Sequence, residues 1–288
     1  DEGSIKSYFN SNLTKIEETE ASFIILCNWI LLLDDEYDDF PPSEIKDRIL
    51  LMKTGLSRIV GIVVDVDTRT SLPGLYVAGE DAGGAHGSNR LGGNGVANST
   101  VYGGIAGDVM GVDATKMNAL HDLDETVLDE ELARAIAPLS ARPGNIQDLR
   151  NRLMNVMWDD VGVMRDASGI KRGIERIAAL KLEMETIGVA SNNLAFNLSW
   201  HDWLNLQSLI HTSEVIAKAG LSRENSRGAH FREDFPDAGP MDQSYFTVAK
   251  AGDEGIEVSR KAVEFTIVKP GESLLRADEA ETLVGAAQ

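Results

Sequence analysis

The chain has one cysteine in 288 residues, Cys27. That excludes an intrachain disulfide framework and a thiolate zinc cage, rules out an iron–sulfur cluster ligated here by cysteines alone, and fits a reducing compartment. Positive charge is also scarce, with 27 Lys and Arg against 46 Asp and Glu for a net charge of -19. Nonspecific binding to nucleic acid or to an anionic membrane needs clustered basic residues, so neither is expected. Long hydrophobic runs are missing. The longest, residues 23–33, is broken by Cys27 and Asn28 and is about half of the roughly 20 residues that span a bilayer. Acidic residues precede it (Glu17, Glu18, Glu20) where a signal peptide would be basic, so it reads as a buried helix or strand. There is no Gly-x-Ser-x-Gly elbow, and Cys27 sits in an apolar run where a thiol is usually inert, which disfavours serine or cysteine hydrolysis.

Hydrophobic content of 43% suffices for a core, and the length suits one large domain or two ordinary ones. The first residue is Asp1 rather than Met, which suggests a processed or truncated product. Residues 1–57 carry no motif with chemistry, and the acidic run at 34–39 reads as a solvated linker or turn. From Arg58 the texture changes. The β-branched run Ile59, Val60, Ile62, Val63, Val64, Val66 predicts a strand buried on both faces. Ser71-Leu72-Pro73-Gly74 predicts a turn, and residues 75–78 a second short strand. Residues 79–107 are rich in glycine, as backbone that turns sharply or passes close to another group must be.

Residues 99–110 then have helical spacing through Val101, Ile105 and Val109. Three more helices are predicted: 146–164 entered at Gly144-Asn145, 170–187, and one from Ser199 as N-cap to Val215 with Gly220 as its terminating glycine. Each has one apolar stripe, and burying the stripes on one another gives a small bundle. Residues 262–268 predict a short closing strand.

The informative stretch is residues 71–108: strand, carboxylate, glycine loop, arginine, second glycine loop, helix. A carboxylate just past a strand, here Glu80, is placed to bind a ribose hydroxyl. A helix starting near Gly95-Val96 offers unpaired backbone N–H groups to an anion, including the charge that builds on a flavin ring when it is reduced. Arg90, between the loops, has the planar fork that takes a carboxylate bidentately. On residue type alone the favoured readings are plainer: Glu80 as an ordinary strand-end charge, and Arg90 as half of an internal salt bridge.

The whole string is more specific. PGLYVAGE at 73–80, HGSNRLG at 86–92 and Asn94-Gly95 resemble the PGLYAAGE, HGANRLG and NS/NG blocks of succinate dehydrogenase and fumarate reductase flavoprotein subunits. ENSRGAHFREDFP at 224–236 is similar to the ESRGAHYREDYP signature of their helical C-terminal domain, and VEFTIVKPGESL at 263–274 looks like their end. The resemblance covers about residues 60–275, and L-aspartate oxidase, of the same superfamily, shares several of these features. It implies FAD as cofactor, with Glu80 on the FAD ribose, Gly95 and Val96 contacting the cofactor through the backbone, and Arg90 holding a dicarboxylate against the ring. His86 is expected to pack or hydrogen-bond, and Arg227, His230 and Arg232 to tie the helical domain to the flavin domain.

Three departures stand out. The family's GxGxxG fingerprint is not found, no block matches its capping domain with the proton-donating arginine, and the place of its HYxMGG stretch reads Gly55-Leu56-Ser57-Arg58-Ile59-Val60-Gly61. They predict an incomplete or rearranged gene product that does not bind FAD tightly alone, and no catalytic proton donor is assigned.

The expected fold is α+β. A segment outside the family, 1–57, leads into a partial FAD-binding domain remnant, 58–112. A helical, three-helix-bundle-like domain with a short closing strand follows at 113–275, then a tail at 276–288. The expected function is FAD-dependent hydride transfer with a C4-dicarboxylate, in a protein that is cytoplasmic or held at a membrane through partners such as an iron–sulfur subunit, without inserting into it. The alternatives are an inactive remnant serving as an assembly module and an L-aspartate oxidase-like flavoenzyme.

Overall fold

The computed structural model describes residues 61–88, 90, 94–116, 124–253 and 255–272. The apolar run at 23–33 with Cys27, the acidic run at 34–39 and the tail at 276–288 lie outside the described residues.

The first described segment is a thin layer of loops carrying one long helix. Asp65 organises the turn that opens it: its Oδ1 accepts from the Asp67 and Arg69 amides, both at 2.9 Å. Arg69 then bridges Tyr76 in antiparallel fashion. The predicted turn closes this small hairpin. Leu75 N donates to Leu72 O at 3.1 Å, and Gly74 takes φ +88°, the positive value required at the third position of a type II turn.

The strand predicted at 59–66 does not form over its described part. Ile62 makes a single parallel bridge to Ala82, while Val63 is 49% and Val66 89% exposed. Ile62 exchanges backbone hydrogen bonds with Asp81 and Gly83, and the Asp65 turn bends the chain away after it. The strand predicted at 75–78 is likewise reduced to the Tyr76 bridge.

Helix α1, Asn94–Lys116, starts where the glycine loop predicted a helix and runs further than expected. Asp113 near its end staples it to the hairpin, accepting from Arg69 Nε and the Tyr76 hydroxyl at 2.8 Å each.

The helical part holds the core. After α2, Glu125–Ile136, which the sequence reading did not anticipate, come α3 (Ile146–Asp159), α4 (Ala167–Glu185) and α5 (Leu198–Ser222). Their stripes meet as Leu149, Leu153 and Val156 of α3, Ile170, Ile177, Leu180 and Met184 of α4, and Trp203, Leu206, Ile210 and Ile216 of α5. Full burial of each such side chain contributes about 1.5–3 kcal/mol, so this bundle is the stable body on which the rest is mounted. Each of the three helices has a side-chain cap: Asn145 accepts from Asp148 N, Asp166 from Gly169 N, and Asn197 from Trp200 N.

The last helix corrects two expectations. Its cap is Asn197 rather than Ser199, and Gly220 lies inside it. No terminating glycine is needed, because Arg232 Nη1 reaches the open carbonyls of Gly220 (2.9 Å), Leu221 (3.1 Å) and Arg223 (3.2 Å).

Two small sheets complete the fold. Strand β1, Met164–Arg165, pairs in parallel with β2, Phe231–Arg232, fastening the 224–236 block to the bundle. Strands β3, Tyr245–Gly252, and β4, Gly255–Ala262, form an antiparallel hairpin with Gly252 opposite Gly255. The closing strand predicted at 262–268 is therefore displaced. Its ladder ends at the Tyr245–Ala262 pair, because β3 offers no further residues to pair with.

Candidate functional site

The glycine-rich segment and the 224–236 block face each other across a cleft of about 1370 Å³. One wall holds Glu80, His86, Arg90, Gly95 and Val96, and the other holds the end of α5, Arg223, His230 and the β3–β4 hairpin. All four residues singled out from the sequence as cofactor or substrate contacts thus line one space.

Glu80 sits in a single 3-10 turn, Gly79–Asp81, and is exposed to the cleft. Gly95 and Val96 occupy the first turn of α1, where backbone N–H groups have no partner within the helix. That turn contains no acidic side chain. Arg90 lies against it so closely that a Cβ on Gly95 would collide with Nη1 of the guanidinium. Arg90 has no ion-pair partner among the described residues. Among the described residues, a helix start and a guanidinium therefore converge with nothing negative between them, an arrangement that attracts an anion.

His86 is held by Asn98, a buried residue of α1 that sequence reasoning missed. Asn98 Nδ2 donates to the Gly79 carbonyl at 2.8 Å and lies 3.1 Å from His86 Nε2. A carbonyl at that distance demands a donor, which fixes the orientation of the amide. His86 Nε2 must then accept, leaving the ring proton on Nδ1. The signal was a polar residue on the inward side of α1, four residues after Asn94, and it has no meaning until Gly79 and His86 are placed around it.

Among the described residues, three expected inter-domain ties are not made. Arg227 donates to Ala238 O, to Ser244 Oγ (2.7 Å) and to Pro240 O (2.8 Å). Arg232 binds the end of α5 and grips Asp234 with two 2.7 Å contacts, and His230 Nε2 is 3.2 Å from Arg223 O. All of these bonds stay within the C-terminal part, because the orphan carbonyls at the end of α5 and the following loop are the nearest acceptors. Among the described residues, the hydrogen bond that crosses the cleft is a backbone one, from Ala229 N to Ser88 O at 3.1 Å.

The C-terminal wall is strongly cationic for so acidic a chain. Arg223 and Arg260 each lie 4.7 Å from the centre of the Tyr245 ring, and burial lowers the Arg223 pKa from its ordinary value. Burial and the nearby Arg165 bring His230 down to about 4.

Comparison with known proteins decides the family. Residues 16–96 match the FAD binding domain, and residues 150–274 match the C-terminal domain of the fumarate reductase flavoprotein. The chain belongs to the succinate dehydrogenase/fumarate reductase flavoprotein family. The FAD-binding match begins at residue 16, ahead of the boundary expected at residue 58.

One subunit of the CoM/CoB fumarate reductase of Methanothermobacter marburgensis is 34% identical over 183 residues, 62% of this chain and 32% of that protein. The L-aspartate oxidase of Yersinia pestis is 33% identical over 181 residues, 62% of this chain and 31% of that protein. Mycobacterium smegmatis Sdh1, solved in complex with UQ1, superposes with a TM-score of 0.64 at 31% identity, covering 72% of this chain and 35% of that one. The chain spans about a third of the length of these curated relatives.

The cofactor of this flavoprotein family is FAD. The residues present fit its flavin end. The open first turn of α1, the bare Gly95 and the carboxylate of Glu80 border one cleft, and Arg90 stands beside them without a counter-charge among the described residues. Among the described residues no helix is long and apolar enough to cross a membrane, and no group of three or more His, Cys, Asp or Glu could hold a metal ion.

Proposed function

We propose that this cleft seats the flavin end of FAD and a C4-dicarboxylate such as succinate or fumarate, as part of a FAD-dependent oxidoreductase. The observation that carries the reading is Arg90 packed on Gly95 at the open start of α1, with no carboxylate of the described residues neutralising either. When bound, the flavin exchanges hydride with the substrate. Arg90 would bind one substrate carboxylate through its fork, and the amides of Gly95 and Val96, unpartnered within the helix, would stabilise the negative charge that a flavin gains on reduction. A helix start of this kind favours the charged form by about 0.3–1 kcal/mol. Glu80 accepts from ribose hydroxyls. Positioning and charge stabilisation, rather than a protein nucleophile, supply the rate. An iron–sulfur subunit is the electron partner, and the assembly is cytoplasmic, attached to a membrane through partner subunits.

The test is a FAD titration followed by flavin fluorescence, with and without succinate. Quenching that succinate alters in the native chain but not in Arg90→Ala supports the reading. A chain that takes up no FAD at roughly millimolar concentration, equivalent to binding weaker than about -4 kcal/mol, refutes it. The similarity to L-aspartate oxidase supports a second reading, in which the carboxylate held by Arg90 is that of L-aspartate. A flavin signal that responds to L-aspartate and ignores succinate would select it.

A further inference from the structure

The loop ahead of α1 touches the start of the helix twice. Arg90 packs on Gly95, and His86 is hydrogen-bonded to Asn98. Positions 95 and 98 are three apart, so they share one face of the helix, with side-chain positions about 5–6 Å apart. The imidazole and the guanidinium are therefore held side by side on α1, and both residues border the cleft. The two nitrogens of the His86 ring are not equivalent. Nε2 lies 3.1 Å from Asn98 Nδ2, an amide nitrogen whose orientation the Gly79 carbonyl fixes at 2.8 Å, so Nε2 accepts and the ring proton sits on Nδ1. Asn98 is 5% exposed, a buried anchor for the ring. Nδ1 lies on the other edge of the imidazole. It has no hydrogen-bond partner among the described residues and is not one of their enclosed polar atoms. His86 thus carries one donor, in a fixed tautomer, open to the cleft beside Arg90.

We infer that the His86 Nδ1–H is a second donor to the carboxylate seated on Arg90, and that Asn98 is the positioning residue that keeps the proton on Nδ1. A carboxylate offers about four lone-pair sites on its two oxygens, and the Arg90 fork engages two of them. A cleft that covers the acid without meeting the other sites loses their hydration and replaces it with nothing. His86 supplies one of the missing donors without adding a charge. The ligand class is an acid with a free carboxylate; its amide or ester, which lacks the second anionic oxygen, gains little from the pair. The inference rests on the reading of Arg90 as the carboxylate site, and its test separates the two.

The experiment measures succinate binding to the full chain, supplied with FAD, by calorimetry in the native protein, Arg90→Ala, His86→Asn and His86→Gln. The Nδ1 proton of His86 is followed by NMR in the native chain. The side-chain amide of Asn reaches the place of a histidine Nδ1, and that of Gln the place of Nε2. His86→Asn therefore keeps a donor toward the ligand and gives up Asn98, whereas His86→Gln keeps the contact to Asn98 and has nothing at Nδ1. The expected result is that His86→Asn stays within about threefold of the native affinity while His86→Gln loses about tenfold or more, the loss of one hydrogen bond to a charged group. The native Nδ1 proton signal should move as succinate saturates. A residue that only braces α1 gives the reverse order, with His86→Gln like the native chain and His86→Asn the weaker. That order overturns the inference, as do equal losses in the two variants with an Nδ1 signal that succinate does not move. In either case a loss of binding in Arg90→Ala leaves the Arg90 site standing. A native chain that binds no succinate overturns both.

Discussion

The guanidinium of Arg90 occupies the space that a side chain on Gly95 would need. The two residues are adjacent in function because one is bare. Gly95→Ala should therefore push Arg90 off the first turn of α1 while leaving the helix intact. Loss of one charge-assisted hydrogen bond, about 1.5–3 kcal/mol, predicts roughly 10-fold or greater weakening of dicarboxylate binding. Thermal stability should hold or rise, since Ala is the better helix former by up to about 1 kcal/mol. Calorimetric titration with succinate in the presence of FAD, beside a melting curve, checks both halves. Unchanged affinity would mean that Arg90 does not seat the substrate.

The relation of Asn98 to His86 yields a spectroscopic prediction. Because Asn98 gives one amide proton to Gly79 O and the other to His86 Nε2, the imidazole should carry its proton on Nδ1. Nitrogen-15 spectra of the histidine ring should show Nε2 unprotonated at neutral pH. Asn98→Ala removes the donor and should turn this single tautomer into a mixture. An Nε2-protonated ring in the native chain would contradict the hydrogen-bond assignment.

How far the sequence could be read depends on whether a signal is local. The bundle was legible because Leu149, Leu153 and Val156, and likewise Ile170, Ile177 and Leu180, repeat at helical spacing whatever surrounds them. Turn chemistry at Pro73-Gly74 was legible for the same reason. The strand at 59–66 was misread because β-branched runs declare a preference, while a strand also needs neighbours on both sides; Val66 has so few that it is 89% exposed. The end of α5 was misplaced because its cap is Arg232, ten or more residues downstream, and no local rule points there. The hairpin β3–β4 had a signal, Gly252 and Gly255 flanking Asp253-Glu254 between runs of alternating residues, that was overlooked. Within the cleft, Glu80, Arg90, Gly95 and Val96 were found by motif. Asn98 was not, since a buried polar group is informative only once its partners can be seen.

Stability should fall between neutral and mildly acidic pH. His230 is held near 4 in the fold against an ordinary value of 6.5, and burial, chiefly, lowers His211 as well. As pH drops through 6.5 the unfolded chain takes up protons that the folded chain refuses, so the unfolded state gains. The contribution of His230 is complete above pH 6.5 and is lost progressively down to about pH 4, amounting to at most about 3 kcal/mol. Asp234, lowered to about 2 chiefly by its bonds to Arg232, adds a further loss below pH 4. Urea unfolding at pH 7.5 and 5 should show the first step, and His230→Gln should flatten it. An unaltered slope in that variant would place the titrating group elsewhere.

Asp160, at the C-terminus of α3, is the buried partner of two half-exposed arginines. Its side chain is 1% exposed, against 57% for Arg172 and 44% for Arg176. Oδ1 accepts from Arg172 Nε at 2.8 Å and Oδ2 from Arg176 Nη1 at 2.7 Å. This asymmetry predicts an unequal response to breaking the same contacts from either side. Asp160→Ala releases the arginines to water, which solvates them, so the loss should be modest, about 1–2 kcal/mol. Replacing both arginines with Ala strands a carboxylate in the core, and should cost about 3–5 kcal/mol. Removing Asp160 from that double variant should then restore stability to near the level of Asp160→Ala alone. Denaturant midpoints for the three proteins give the comparison directly. If the double-arginine variant proves no less stable than Asp160→Ala, the carboxylate is reached by solvent and the contact is an ordinary surface pair.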